Sequence, residues 1–183
     1  LLFSGLFGGE GHSLIGNPEG VTSILDLCTG SGCLAILAAG IFPNARIDAV
    51  DLSSDALEVA RINVRDHGMQ DRITLHQGDL FAPLAGKKYD FIMTNPPYVA
   101  EAEVAAFPQE YAHEPVMAHI GGKDGLDIIR RILAAAPRHL NKGGGILCEI
   151  GAGREILEGE FPNLDFFWLD TEESSGEVFW LTF

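Results

Sequence analysis

Thr22-Ser23-Ile24-Leu25-Asp26-Leu27-Cys28-Thr29-Gly30-Ser31-Gly32-Cys33 is the stretch on which the fold turns. A short apolar run, Thr22 to Leu27, breaks at two closely spaced glycines. An alanine-rich apolar segment from Cys33 to about Phe42 follows, so the pattern is strand, glycine loop, helix. Gly30 and Gly32 let the backbone turn tightly and approach a ligand, and the helix beyond them presents free N–H groups that favour negative charge.

The same unit recurs downstream. Ala45 to Val50 reads as a second strand ending at Asp51, and Ser53 caps a helix from Ser54 to about His67. Ile73 to His76 is a third strand, with Gly78-Asp79-Leu80 at its end. Tyr89 to Met93 is a fourth, broken by Thr94-Asn95-Pro96-Pro97-Tyr98. Beyond a long loop, Asp124 is expected to cap a helix running toward His139, and Gly143 to Gly145 lead into a strand over Ile146 to Ile150. A short helix near Glu155 precedes two closing strands, Phe166 to Leu169 and Val178 to Phe183. The Glu172 to Gly176 segment between them is too short for a helical crossover, so that pair should be antiparallel. Upstream, Leu1 to Phe7 reads as the end of a helix stopped by Gly8 and Gly9, and Gly11 to Gly20 as a loop; residues 1–20 thus form a leader.

Alternating strands and helices predict an α/β fold: an open, doubly wound, mostly parallel sheet with helices on both faces and an antiparallel strand at the C-terminal end. Ligands in such sheets lie outside the carboxyl ends of the strands, where Asp26, Gly30, Asp51, Asp79 and Asn95 all fall.

Composition narrows the function. At 183 residues and 46% hydrophobic, without repeats or a linker, the whole chain, 1–183, is expected to be a single domain. No apolar run has membrane-spanning length and Leu1 to Leu6 lack signal-peptide flanks, so a cytoplasmic protein without a membrane partner is expected. Three cysteines without a Cys-x-x-Cys pair argue against a disulfide framework or zinc cluster, and six histidines lack ligand spacing; no metal is expected. A net charge of −14 with only twelve Lys and Arg counts against direct nucleic-acid binding and favours a protein or small-molecule substrate. The chain opens at Leu1 rather than Met and is expected to lack an N-terminal part.

The edge residues suggest a chemistry. Asp51 lies about twenty residues after the glycine loop, where a carboxylate takes the hydroxyls of a ribose. Asp79 would accept an exocyclic amine, with Leu80 packed on the base. Asn95 and the two prolines make a stiff corner rich in acceptors; with the ring of Tyr98 over it, the corner suits a planar –NH₂ group. Capping roles for Asp51 and Asp79 stay open. So does a nicotinamide oxidoreductase, because Gly30-x-Gly32-x-x-Ala35 with Asp51 also fits the loose dinucleotide fingerprint. Asp26 ahead of the loop, the proline corner and the final antiparallel pair count against it.

Together, Asp26-Leu27-Cys28-Thr29-Gly30-Ser31-Gly32-Cys33, Ala49-Val50-Asp51-Leu52-Ser53, Gly78-Asp79-Leu80-Phe81 and Thr94-Asn95-Pro96-Pro97-Tyr98 resemble the S-adenosylmethionine-dependent protein glutamine N5-methyltransferases of the HemK/PrmB family. Tyr111-x-His113-Glu114-Pro115, Gly121-Gly122-x-Asp124-Gly125-Leu126 and Glu149-Ile150-Gly151 are similar to that family too. Cys28 in place of the usual glycine resembles the PrmB branch, which acts on a large-subunit ribosomal protein. The resemblance implies a Rossmann-like class I methyltransferase fold, S-adenosylmethionine as cofactor and S-adenosylhomocysteine as product. It implies a ribosomal or translational protein carrying a glutamine as partner. Cys28, Thr29, Gly30, Ser31 and Gly32 would lie under the methionine part of the cofactor, Asp51 at the ribose, and Asp79 and Leu80 at the adenine, with Asp26 and Leu52 also among the cofactor-binding residues. Leu80 departs from the HemK branch, where an aromatic residue is usual. Asn95, bordering the cofactor, and Pro96 would hold the glutamine –NH₂ through their carbonyls, with Pro97 in the same corner and Tyr98 stacked on the amide. The family's N-terminal substrate-binding domain is expected to be absent. Two alternatives remain at this stage: an N6-adenine methyltransferase on DNA or RNA, since the corner would also hold an adenine amino group, and a non-catalytic nucleoside-binding module.

Overall fold

The computed structural model describes residues 15–99, 121–169 and 176–183. The expected leader helix over Leu1 to Phe7, the Tyr111 to Pro115 motif and most of the Glu172 to Gly176 segment lie outside the described residues. Seven strands form one sheet: β1 Ser23–Leu27, β2 Arg46–Asp51, β3 Ile73–Gln77, β4 Tyr89–Thr94, β5 Leu140–Glu149, β6 Phe167–Leu169 and β7 Val178–Thr182. Their order is β3-β2-β1-β4-β5-β7-β6. Strands β1 to β5 are parallel, and β7 runs antiparallel between β5 and β6.

Side chains alternate across each strand, and the alternation builds two cores. On one face Leu25, Leu27, Val50, Ile92, Ile146 and Cys148 meet Ile129, Ile132, Leu133 and Ala136 of helix α3 (Asp127–His139) and Leu157 of α4 (Arg154–Glu160). On the other, Ile24, Ile47, Ala49, Phe91, Met93 and Leu147 meet Ala35, Ala38 and Ala39 of α1 (Cys33–Ile41) and Val64 of α2 (Ser54–Asp66). Strands covered on both faces read as continuous apolar runs, which is why the central ones were legible. Ser53 caps α2 as expected, its hydroxyl accepting from the Ala56 N–H at 3.2 Å. Among the described residues no helix is long and apolar enough to cross a membrane.

Three expectations are corrected. Residues Pro18–Gly20, read as loop, form a 3-10 turn because the Asn17 side chain accepts from the Glu19 N–H and Pro18 supplies a helical φ. Asp124 does not cap α3; the helix starts at Asp127 behind Leu126, and the Asp124 carboxylate instead accepts from the Leu126 N–H at 3.1 Å and pairs with Arg130. Strand β5 begins at Leu140, not Ile146. Between Tyr89↔Leu140 and Phe91↔Gly145, β4 advances by two residues and β5 by five. Gly143, at φ +81, and Gly144, where an added Cβ would come within 2.8 Å of the Asp90 carbonyl oxygen, absorb the excess.

Arg72 closes the end of α1. Its guanidinium donates to the carbonyls of Ala39, Phe42 and Ala45, the Phe42 carbonyl also taking the Ala45 N–H at 3.1 Å. Arg72→Met should keep the stem and remove the charged donor from those carbonyls, costing about 2–3 kcal/mol by the scale for charged hydrogen bonds. Urea denaturation at unchanged m-value would measure it; an unaltered midpoint would mean water replaces the guanidinium without loss.

Candidate active site at the carboxyl edge of the sheet

Strands β1, β2 and β4 deliver the glycine loop, Asp51 and the proline corner to one edge. The loop after β1 is built from unusual backbone. Cys28, at φ +57, precedes Gly30 at φ +55 and Gly32 at φ +80, so three of five loop residues turn left-handed, which costs a non-glycine residue energy. The loop is held from below and from both sides. The Thr29 N–H donates to the Val50 carbonyl at 3.0 Å, the Gly30 N–H to Asp51 Oδ2 at 2.8 Å, and Asn63 Nδ2 of α2 to the Ser31 carbonyl at 2.9 Å. A Cβ at Gly32 would sit 3.3 Å from Ala60 Cβ, so α2 packs closely against the loop there. A Cβ at Gly30 meets nothing within 4 Å, leaving open space over the loop.

Asp26 shares the inward row of Ile24, a position the strand pattern would fill with an apolar side chain. It is fully buried. Oδ2 accepts from Thr29 Oγ1 at 2.5 Å, while Oδ1 has no hydrogen-bond partner among the described residues. Burial pushes the carboxyl up to about 7 despite hydrogen bonds from Thr29 and the Ala35 N–H, and the nearby Asp51 charge adds to the rise. Cys28 is half-buried beside these carboxylates, and desolvation with their charge pushes its thiol up to about 12 and keeps it neutral.

Asp51 is already engaged: Oδ2 takes the Gly30 N–H and Oδ1 the Ser53 N–H at 2.9 Å. Each oxygen has a second lone pair, so both remain acceptors for hydroxyls. Leu52 beside it is 54% exposed, an apolar side chain standing at the edge. Asp79 pairs with Arg131 of α3 at 2.6 Å, and Leu80, at φ +50, turns into the core on the α3 face. Phe81 then stacks on His139 at 4.5 Å.

The corner adjoins the loop because Leu27 pairs with Thr94, whose buried hydroxyl donates to the Leu27 carbonyl at 2.9 Å. Asn95 beyond it is exposed, Pro96 buried and Pro97 half-buried. Tyr98 is fixed at both ends of its ring: the hydroxyl donates to Glu149 Oε1 at 3.1 Å, and the edge lies where a Cβ on Gly151 would come within 2.8 Å. Burial, with Glu149 beside it, pushes the Tyr98 phenol up to about 12. Asp26, Cys28, Thr29, Gly30, Ser31, Gly32, Asp51 and Asn95 to Tyr98 therefore converge, whereas Asp79 and Leu80 are turned toward α3. Sequence reading had given no role to Asn63, Thr94, Arg131, Glu149 or Gly151. The Glu-Ile-Gly motif was visible, but nothing in it pointed to Tyr98.

The family model described as methyltransferase small domain matches residues 15–111. The ribosomal protein uL3 glutamine methyltransferase of Bradyrhizobium diazoefficiens is 60% identical over 177 residues, covering 96% of this chain and 56% of that protein. The protein of the same name from Bordetella pertussis is 57% identical over 166 residues, covering 91% and 56%. The chain spans about half the length of the curated relatives it matches. Among solved structures, a methyltransferase from Pyrococcus furiosus aligns with TM-score 0.63 at 18% identity, covering 88% of this chain and 74% of the other. A ribosomal protein L11 methylase from Lactobacillus delbrueckii subsp. bulgaricus aligns with TM-score 0.59 at 20% identity, covering 87% and 67%. These structural likenesses concern the fold.

Asp26 gives a pH signature. Its folded pKa of about 7 lies above the reference 3.8, so the stability of the neutral, buried carboxyl is whole below the unfolded pKa and is lost as pH rises toward the folded one. Asp26→Asn keeps an acceptor for Thr29 and carries no charge. Its thermal stability relative to the parent should rise between about pH 4 and pH 8; a difference independent of pH would mean that Asp26 is ionised throughout.

Proposed function

This chain belongs to the methyltransferase small-domain family, and we propose that it moves the methyl group of S-adenosylmethionine to the side-chain amide nitrogen of a glutamine in a large-subunit ribosomal protein. The observation that carries this reading is the pairing of Leu27 with Thr94, which puts an acceptor-rich corner next to an open glycine loop. The names of the relatives at 60% and 57% identity support the same activity and the same class of substrate.

The residues present fit the cofactor. Space over Gly30, the free oxygen of buried Asp26, the remaining lone pairs of Asp51 and the exposed Leu52 suit a methionine ammonium, a ribose and an apolar ring face. Asp26 and residues 28–32 would hold the methionine part, Asp51 the ribose, and Leu52 the ring. Bound there, the cofactor supplies an electrophilic methyl group on a sulfonium. The chain's own residues must then present the nucleophile. An amide nitrogen reacts poorly because its lone pair is delocalised, so orientation is the main source of rate. The Asn95 side-chain oxygen and the Pro96 carbonyl each accept one N–H, which turns the amide plane, and Tyr98 covers its face. As the methyl–sulfur bond breaks and positive charge develops on nitrogen those two acceptors strengthen their hold, and the surplus N–H proton leaves to water. The thiol of Cys28 and the phenol of Tyr98 both stay neutral near pH 7, so neither acts as a nucleophile or base, and transfer is direct.

The test is methylation of purified ribosomal protein uL3 with labelled S-adenosylmethionine, the modified residue being located by mass spectrometry. Label on a residue other than glutamine would overturn the assignment. In that assay Asn95→Ala should lower turnover by about two to three orders of magnitude, the scale for losing one preorganised hydrogen bond to a developing charge. Cofactor affinity by calorimetry should hold. Normal turnover would reduce the corner to a strand terminator.

A further inference from the structure

Gly121 lies directly behind the proline corner. Its N–H donates to the Val99 carbonyl at 2.9 Å, and a Cβ added there would come within 2.7 Å of the Pro97 carbonyl oxygen and still closer to that of Gly125. The Gly121 carbonyl in turn accepts the Asp127 N–H at 2.8 Å, at the start of α3. The 121–126 turn is thus wedged between the corner and α3 without room for one methyl group.

That turn is closed by a carboxylate–guanidinium cluster. Asp124 Oδ1 accepts from the Leu126 N–H, and Arg130 forks onto Asp124 with Nη1–Oδ1 at 2.9 Å and Nη2–Oδ2 at 2.6 Å. The same guanidinium forks onto Glu160 at the end of α4, Nε and Nη2 each at 2.7 Å, and touches Asp127 Oδ1 at 3.0 Å. Three carboxylates on one arginine fix it far more firmly than an isolated surface pair would. Hydrogen bonds from Arg130, then from the Leu126 N–H, hold Asp124 at about 2, so the cluster stays ionic through neutral pH.

We propose that Asp124 and Arg130 are positioning residues for methyl transfer, setting the Pro97 carbonyl and the Asn-Pro-Pro-Tyr corner through the Gly121 wedge. Neither touches substrate or cofactor. The inference rests on the reading that this corner holds the substrate amide. A displacement of the corner by a fraction of an ångström would misalign the nitrogen and leave the glycine loop, on β1, undisturbed. The effect therefore falls on kcat rather than on cofactor affinity.

Asp124→Asn keeps shape and removes the one of Arg130's three carboxylate partners that ties it to the 121–126 turn. It should lower kcat by about tenfold or more, since small misplacements of reacting groups have large costs. KM for the ribosomal protein and the calorimetric Kd for S-adenosylhomocysteine should stay within about twofold, because uniform binding is not what is lost. Arg72→Met, destabilised at the far end of α1, serves as the control and should retain parental kcat. Parental kcat in Asp124→Asn, or an equal loss in Arg72→Met, would overturn the proposal. Asn95→Ala run alongside separates the two readings. If Asn95→Ala is crippled and Asp124→Asn is not, the positioning role falls alone; if Asn95→Ala turns over normally, the role of the corner itself falls.

Discussion

A single carboxylate, Asp51, joins the ends of β1 and β2: one oxygen takes the Gly30 N–H and the other the Ser53 N–H. Gly30 and Gly32 take many conformations and left-handed Cys28 costs about 1 kcal/mol or more, so the loop would otherwise have little reason to stay in one conformation. Charge-assisted hydrogen bonds to backbone N–H groups are strong, and here they come from two different connections. The shape of the glycine loop, the start of α2 and the open space over Gly30 all follow from that contact. Asn63, donating to the Ser31 carbonyl, secures the loop from α2.

Beneath the same loop Asp26 works in the opposite direction. A carboxyl with an orphaned oxygen in a row of apolar side chains destabilises the fold, and its raised pKa reports that cost. Under the proposed reading a cationic ammonium would both satisfy the free oxygen and restore the ionised form. Strain of this kind is what an edge built for a ligand shows, and what a purely structural edge would have shed.

Most of the sheet was legible because parallel strands buried on both faces leave continuous apolar runs ended by glycine, aspartate or proline, as at Ile24, Ile47 and Ile92. The positions of Asp51 and Asn95 followed from those ends. The start of β5 did not, because Gly143 and Gly144 look like a turn in sequence; only the close approach of Gly144 to the Asp90 carbonyl makes them a bulge inside a strand. The role of Asp124 was missed for a related reason. An aspartate ahead of a helix reads as a cap, but the competing partner, Arg130, becomes a neighbour only through the turn between them. Tyr98 was assigned from its place beside the prolines, whereas Glu149 and Gly151, which fix its ring, lie some fifty residues away in sequence, at and just beyond the end of the neighbouring strand β5.

Asp51 and Asp79 looked equivalent in sequence, each an aspartate at a strand end, yet the fold treats them differently. Asp51 is bound by backbone groups that cannot leave, so it is preorganised, and its unused lone pairs are fixed in direction before any hydroxyl arrives. Asp79 is bound by Arg131, and both side chains are half exposed. Such a pair contributes at most about 1 kcal/mol. A nucleobase amine approaching Asp79 thus competes with a weak, solvent-screened partner, while a ribose approaching Asp51 competes with nothing. On this arrangement affinity for a nucleoside would be set mainly at β2, and the β3 end would act as an adjustable edge whose arginine swings aside or stays to border the base. The inward turn of Leu80 at φ +50 fits the same division, because it leaves the apolar covering at this edge to the exposed Leu52.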